Sequence, residues 1–255
     1  FVVPLLFIYL TQAQGLDLGT AGGIAALFGF GSLLGSLIGG VTADRYGRRR
    51  TMLTSLIVGS AFMLVLGFAR ELWQMASAAF FLGLTADAYR PASQALVADI
   101  VPVRHRMKAF GMQYWAINLG FSFAAIIGGT LAKQSFTLLF IGDAISTLLL
   151  ALIVWRAIPE SKPADAPHVQ KGSALTPFLD LRYVQFLFLN LLMALLFFQH
   201  LSSLPEDMRL KGLSTQQFGW AMATNGVAIV LLQPLATRWV GLFSTARVLA
   251  LASLL

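Results

Sequence analysis

Apolar residues in this chain come in long runs parted by short polar breaks. Gly19 to Val41 holds no charged residue, and neither does Thr51 to Ala69. At 1.5 Å per residue, either run is long enough as a helix to cross about 30 Å of hydrocarbon. The same pattern predicts a first helix whose outer half is Phe1 to Ala13, then helices over about 20–41, 51–69, 72–98, 109–132 and 136–155. From Ile158 to Thr176 the composition changes abruptly, with Pro159, Pro163 and Pro167, and Pro177 just beyond, among Glu, Ser, Lys, Asp, His and Gln. Such a stretch reads as a linker. After it come a seventh helix over about 183–204, an eighth over about 214–237 and the start of a ninth. The prediction is an all-α membrane protein of about eight to nine spans. Residues 1–157 form a first six-helix bundle, 158–180 a cytoplasmic linker and 181–255 the beginning of a second bundle. The chain starts inside one apolar run and stops inside another, so further sequence is expected on both sides.

Composition sharpens this. Hydrophobic residues make up 57% of the chain and charged residues 11%, against about one quarter charged in soluble domains. A net charge of +7 would point to nucleic acid in a soluble chain. Here the basic residues fall in breaks between spans, and topology accounts for them. Thirteen lysines and arginines lie in 42–50, 98–108, 156–182 and 238–247, while Arg70, Lys133, Arg209 and Lys211 lie on the other side. The bias makes the first group cytoplasmic. There is no cysteine, which excludes disulfides, cysteine-bound metal and thiol catalysis. Gly31, Gly35 and Gly39, four residues apart, have Ser32 and Ser36 beside them. That small-residue stripe predicts a helix-packing face.

The break from Gly40 to Arg50 is the most specific stretch. Four arginines (45, 48, 49 and 50) anchor it in the cytoplasm, Asp44 sets a carboxylate among them, and Gly40 and Gly47 permit close approach and chain reversal. Gly40, Asp44, Arg45, Gly47, Arg48 and Arg49 give the order Gly-x-x-x-Asp-Arg-x-Gly-Arg-Arg. It resembles the loop 2–3 signature of the major facilitator superfamily of secondary transporters. The resemblance implies two parallel six-helix bundles around a midplane site. It also implies that Asp44, with Arg45 and Arg48, latches a cytoplasmic gate in the outward-facing state.

The fourth helix holds Gly83, Asp87, Arg90 and Gln94 at i, i+4, i+7 and i+11, on one narrow face. Pro91 removes its own amide beside the two charges and predicts a kink there. Charges at that depth mark a functional site by default; alternatively the pair only neutralises itself and stabilises the bundle. By resemblance, Arg90 stands at the basic position of an Arg-x-x-Gln-Gly pattern tied to proton coupling, with Ser93 and Gln94 where Gln and Gly would be. The fifth helix sets Gly111, Trp115, Asn118, Ser122, Ala125 and Gly129 along a small or polar face. Gly111, Gly120, Gly128 and Gly129 resemble the glycine frame of the antiporter branch, with Ala124-Ala125 in place of its Gly-Pro. In the sixth helix Asp143 is either a proton or cation acceptor or an interfacial capping group. His200 could titrate in a cavity, or be an interfacial hydrogen-bonding residue.

Gly15-Leu16-Asp17 and Gly22 recur as Gly212-Leu213-Ser214 and Gly219 at a constant offset of 197. Asp17 and Ser214 are both N-cap types, and Ser214 with Gln217 can form a capping box. Two parallel repeats follow. No phosphate loop, metal-ligand spacing or intramembrane catalytic constellation occurs in the sequence, so no enzyme, metal or cofactor is expected. The expected function is secondary transport of a small solute by alternating access, as proton-coupled efflux of drugs or metabolites. A proton-coupled importer of a sugar, peptide or organic ion is the alternative, and a non-transporting receptor or intramembrane enzyme the remote one. Asp87, Arg90, Gln94, Asn118, Asp143 and His200 are the candidate substrate or proton residues. The expected partners are the solute, protons and membrane lipid, with no nucleic acid; the protein is expected as a monomer in a bacterial inner membrane.

Overall fold

The computed structural model describes residues 5–161, 179–199 and 203–240. Most of the linker expected over 158–180, together with His200 and the ninth helix, lies outside the described residues. Among those described there is no strand. The helices are α1 (Leu6–Ile8, passing into a π-helical turn at Tyr9–Ala13), α2 (Leu18–Tyr46), α3 (Arg48–Phe68), α4 (Leu72–Ile100) and α5 (Val103–Gln134). Then follow α6 (Phe136–Ala157), α7 (Leu181–Phe198), α8 (Ser203–Leu210) and α9 (Thr215–Val240). Four of them, α2, α3, α5 over Val103–Ala132 and α6, are long and apolar enough to cross a membrane. With 29 residues α4 is also long enough, but Gln74, Asp87, Arg90 and Gln94 dilute its apolarity.

Helix ends differ from the sequence expectation. α2 continues past Val41 to Tyr46, and α5 begins at Val103 rather than near 109. Charges mark where a span leaves lipid, yet Arg and Lys favour helix well enough for the turns to continue into water. The arginine-bearing breaks therefore shrink to Gly47 and to Val101-Pro102. α4 runs unbroken through Pro91. The seventh span stops at Phe198, short of the expected 204, and a separate α8 follows. Its first turn carries Glu206 and its last Arg209, paired at 2.6 Å, in the order that suits the helix dipole.

The glycine stripe of α2 packs as expected, and its partner is α4. A Cβ added at Gly31, Gly35 or Gly39 would run into the carbonyls of Phe80, Leu84 and Ala88, and one at Gly83 into that of Phe28. The two backbones touch over three turns. α4 also meets α3, and α3 in turn packs on α6, with Gly67 against the Phe140 ring. α5 pairs with α9. Two apolar clusters result. One, at the end away from the arginines, joins Leu10, Leu66 and Phe140 to Phe218 and Met222 of α9; the other, at the arginine-bearing end, joins Met52, Leu96 and Val154. Tyr9 crosses the first of these clusters, its hydroxyl donating to the Leu66 carbonyl at 2.9 Å.

The repeat is visible in the geometry. Gly15 and Gly212 both take positive φ, 67° and 77°. Asp17 accepts from the amides of Gly19 and Thr20 at 2.9 and 3.1 Å. Ser214 Oγ accepts from the Gln217 amide at 3.3 Å, while Gln217 Oε1 accepts from the Ser214 amide at 2.7 Å. α2 and α9 therefore start alike, at Leu18 and Thr215.

Candidate functional site: an arginine cluster between α2, α3 and α4 and a charged turn in α4

Gly47, at φ 108°, is the only residue between α2 and α3. Arg48 opens α3 with a side chain only 7% exposed. Its Nη1 donates to Asp44 Oδ1 at 2.6 Å, one turn back on α2, and its Nε donates to Asp99 Oδ2 at 3.1 Å at the end of α4. The guanidinium fork suits this, since it offers donors along two directions from one rigid plane. Asp99 also accepts from Ser161 Oγ at 3.3 Å. Glu160, just after α6, takes the amides of Arg49 and Arg50 at 3.1 and 3.2 Å. An anion there satisfies donors that the first turn of a helix leaves unpaired, and it faces the positive end of the dipole. A Cβ on Gly47 would collide with this carboxylate, so glycine is required there for space as well as for φ. Arg49 donates from Nη2 to the Trp155 carbonyl, and its buried Nε has no partner among the described residues.

Asp44, Gly47, Arg48 and Arg49 of the sequence motif are thus brought together. Arg45 is not: its guanidinium lies over the Tyr46 ring, 5.5 Å from the centroid. Nor is Gly40, where a Cβ would meet only open space. Close helix approach belongs to Gly39 instead. Asp99 and Glu160 were missed by the sequence reading. The one signal for them is that each is an acid closing a span on the arginine-rich side.

On α4, Arg90 Nε meets Asp87 Oδ1 at 2.7 Å, with the Asp87 side chain 24% exposed and that of Arg90 76% exposed. Gln94 is exposed on the same side. Gly83 departs from the expected face, since α2 covers it. Asp143 is half-buried on α6, which packs on α3. Asn118 lies on α5, its Nδ2 donating to the Tyr114 carbonyl at 2.9 Å. Its own carbonyl and Ser122 Oγ crowd Gly226 of α9. Two further polar links went unpredicted: Gln113 Nε2 to Ser93 Oγ at 3.1 Å joins α5 to α4, and Trp115 Nε1 to the Val230 carbonyl at 3.2 Å joins α5 to α9.

The family model for the Major Facilitator Superfamily matches residues 1–255. The uncharacterized MFS-type transporter YqjV of Bacillus subtilis (strain 168) is 27% identical, the match covering 91% of this chain and 58% of that protein. A Na(+), Li(+), K(+)/H(+) antiporter of Planococcus maritimus is 26% identical over 95% of this chain and 65% of its own length. A 3-(3-hydroxy-phenyl)propionate transporter of Escherichia coli (strain K12) is 30% identical over 60% of this chain and 38% of its own. The chain thus spans less than two thirds of the length of these relatives. Among solved structures, the peptide transporter POT superposes with a TM-score of 0.67 at 19% identity, covering 94% of this chain and 65% of that one. The D-xylose-proton symporter gives 0.61 at 18%, covering 95% and 64%. With its helical fold, its membrane-length apolar helices and a family match from end to end, the chain belongs to the Major Facilitator Superfamily and is a multi-pass membrane protein.

Proposed function

We propose that the protein is a secondary transporter that moves a small solute by alternating access and couples it to protons, in the direction of efflux of drugs or metabolites. The observation that carries this reading is the Asp87–Arg90 pair, held at 2.7 Å on a helix of 29 residues. A charged side chain at mid-membrane costs about 2.5–3.5 kcal/mol on insertion scales. Pairing lowers that cost, and protonating Asp87 would cancel it for one partner while freeing Arg90 for an anionic or polar solute. A proton could thereby change what the cavity binds and which side is open. Gln94 extends the same exposed face; Asn118, Asp143 and His200 remain candidates in their own helices. The buried Arg48, with Asp44 and Asp99, would hold the cytoplasmic ends of α2, α3 and α4 as one gate element, with Arg45 outside it. The antiporter among the relatives supports exchange against protons.

A second reading, proton-coupled import of an organic acid, peptide or sugar, is favoured by the hydroxyphenylpropionate transporter and by the fold neighbours. In either reading the halves are 1–157 and 181–255, joined by 158–180. The protein works as a monomer in a bacterial inner membrane, with 42–50, 98–108 and 156–182 cytoplasmic. The experiment is transport in inside-out and right-side-out vesicles under an imposed pH gradient, with alkali cations, cationic dyes and aromatic acids as solutes. Flux of one class that needs the gradient, and that Asp87→Asn abolishes, is expected. Gradient-driven flux untouched by Asp87→Asn removes that residue from the mechanism.

A further inference from the structure

A cleft of about 450 Å³ opens between α2 and α3, with α4 as its floor. Ile38, Val58, Leu84 and Ala88 give it apolar walls. Its threonines add little polarity. The hydroxyls of Thr42, Thr51, Thr54 and Thr85 each donate to a main-chain carbonyl. A polar solute would find few donors there. The arginine-bearing end is different, for Tyr46 and Arg50 form the rim. The Arg50 side chain is 76% exposed, and the acid recorded beside it, Glu160, stands off at 4.0 Å. Arg45, stacked on Tyr46, adds a second cation one residue away. From Ile38 to Tyr46 the slot runs about 12 Å along α2, on the side of the helix turned away from Gly40 and Asp44, since two residues at 100° each make about 200°.

An apolar slot parallel to membrane-spanning helices, with cations only at its cytoplasmic end, has the polarity of a phospholipid. We propose that this cleft binds an anionic phospholipid of the cytoplasmic leaflet, one acyl chain lying along Ile38, Val58 and Leu84 and the phosphate resting on Arg50. Basic side chains at the interface attract anionic lipid, and buried methylenes add affinity in proportion to their number. The site requires only that α2 and α3 span a membrane, and is independent of which solute is carried.

The test is native mass spectrometry of the purified chain released from micelles doped with phosphatidylglycerol or phosphatidylcholine of equal chain length. It uses the native protein, Arg50→Gln and Val58→Trp, with circular dichroism as the check on folding. Val58 is 42% exposed, so a tryptophan there can fill the slot without entering the core. Retention of phosphatidylglycerol over phosphatidylcholine is expected. Arg50→Gln should weaken phosphatidylglycerol about fivefold, the worth of one basic side chain at a membrane surface, and leave phosphatidylcholine unchanged; Val58→Trp should reduce both. Equal retention of the two lipids by the native protein, or retention unaffected by either variant, overturns the proposal. So does a photo-crosslinker at Thr54 that captures another segment of the protein instead of lipid.

Discussion

Arg48 is shared between two carboxylates, so replacing them singly and together should give strongly non-additive losses. The Asp44 side chain is 75% exposed and that of Asp99 31%, while Arg48 is 7% exposed. Asp44→Asn removes an ion pair whose acid is bathed in water, and such pairs contribute about 0–1 kcal/mol. Asp99→Asn removes the more sheltered partner, for about 1 kcal/mol, because Asp44 still neutralises the guanidinium. Removing both strands a buried cation. Stranded buried charges cost about 3–5 kcal/mol, and the lower end applies here because the Asp44 side of the guanidinium can reach water. The expected coupling is therefore about 1–2 kcal/mol beyond the sum of the single losses. Arg48→Met should cost less than the double replacement, since it removes the charge that needs the acids. The assay is reversible unfolding of each variant in mixed dodecyl sulfate and maltoside micelles, followed by helical circular dichroism. A double variant whose loss equals the sum of the singles within about 0.5 kcal/mol would refute the shared-guanidinium argument.

Two other predictions need only stability measurements. Gly35→Leu should lower stability by about 1–3 kcal/mol, the usual range for overpacking a close contact, because the Leu84 carbonyl occupies the place of its side chain; Gly40→Ala, in open space, should cause no loss in the same unfolding assay, since alanine favours helix over glycine. At the start of α2, the Thr20 hydroxyl foremost, with the backbone amides, holds the Asp17 carboxyl below its usual 3.8. That depressed value makes the cap fully stabilising above the ordinary carboxylate range and weaker as pH falls through the folded-state value. Asp17→Ala should thus melt lower than native at pH 7, with the gap closing in acid. A gap independent of pH would show that the charged cap contributes nothing.

The helices were legible because lipid imposes one rule on the sequence: a span must be an apolar run of a given length. Their ends were not, because the rule stops at the interface while the helix does not. α2 carries Thr42-Ala43-Asp44-Arg45-Tyr46 as one more turn, and only Gly47, with φ at 108°, brings it to a stop. The α2 stripe was readable because three glycines spaced four residues apart have one ready use, backbone contact. Which helix it would meet was not, since Phe80, Leu84 and Ala88 offer their carbonyls, and every residue has one. The partners of Arg48 and Arg49 were hidden for a similar reason. Asp99 and Glu160 stand 51 and 111 residues from the groups they hold, and no local spacing signals a pairing at that range.

The repeat separates what the fold needs from what only one half possesses. α2 and α9 begin alike, through Gly15 and Gly212 in positive φ and through the caps Asp17 and Ser214. A feature needed to build either repeat should occur in both, and the helix starts do. The offset of 197 carries Arg50 onto Arg247, which is again basic, but Asp44 onto Gly241 and Arg48 onto Thr245. Neither the acid nor the buried arginine has a counterpart. The network of Arg48, Asp44 and Asp99 is therefore not a requirement of the repeated helix packing. It also costs the desolvation of a guanidinium that well-packed apolar side chains would avoid. The network closes the arginine-bearing ends of α2, α3 and α4, and α4 also bears Asp87 and Arg90; that placement supports the gate proposed for it over a purely structural staple.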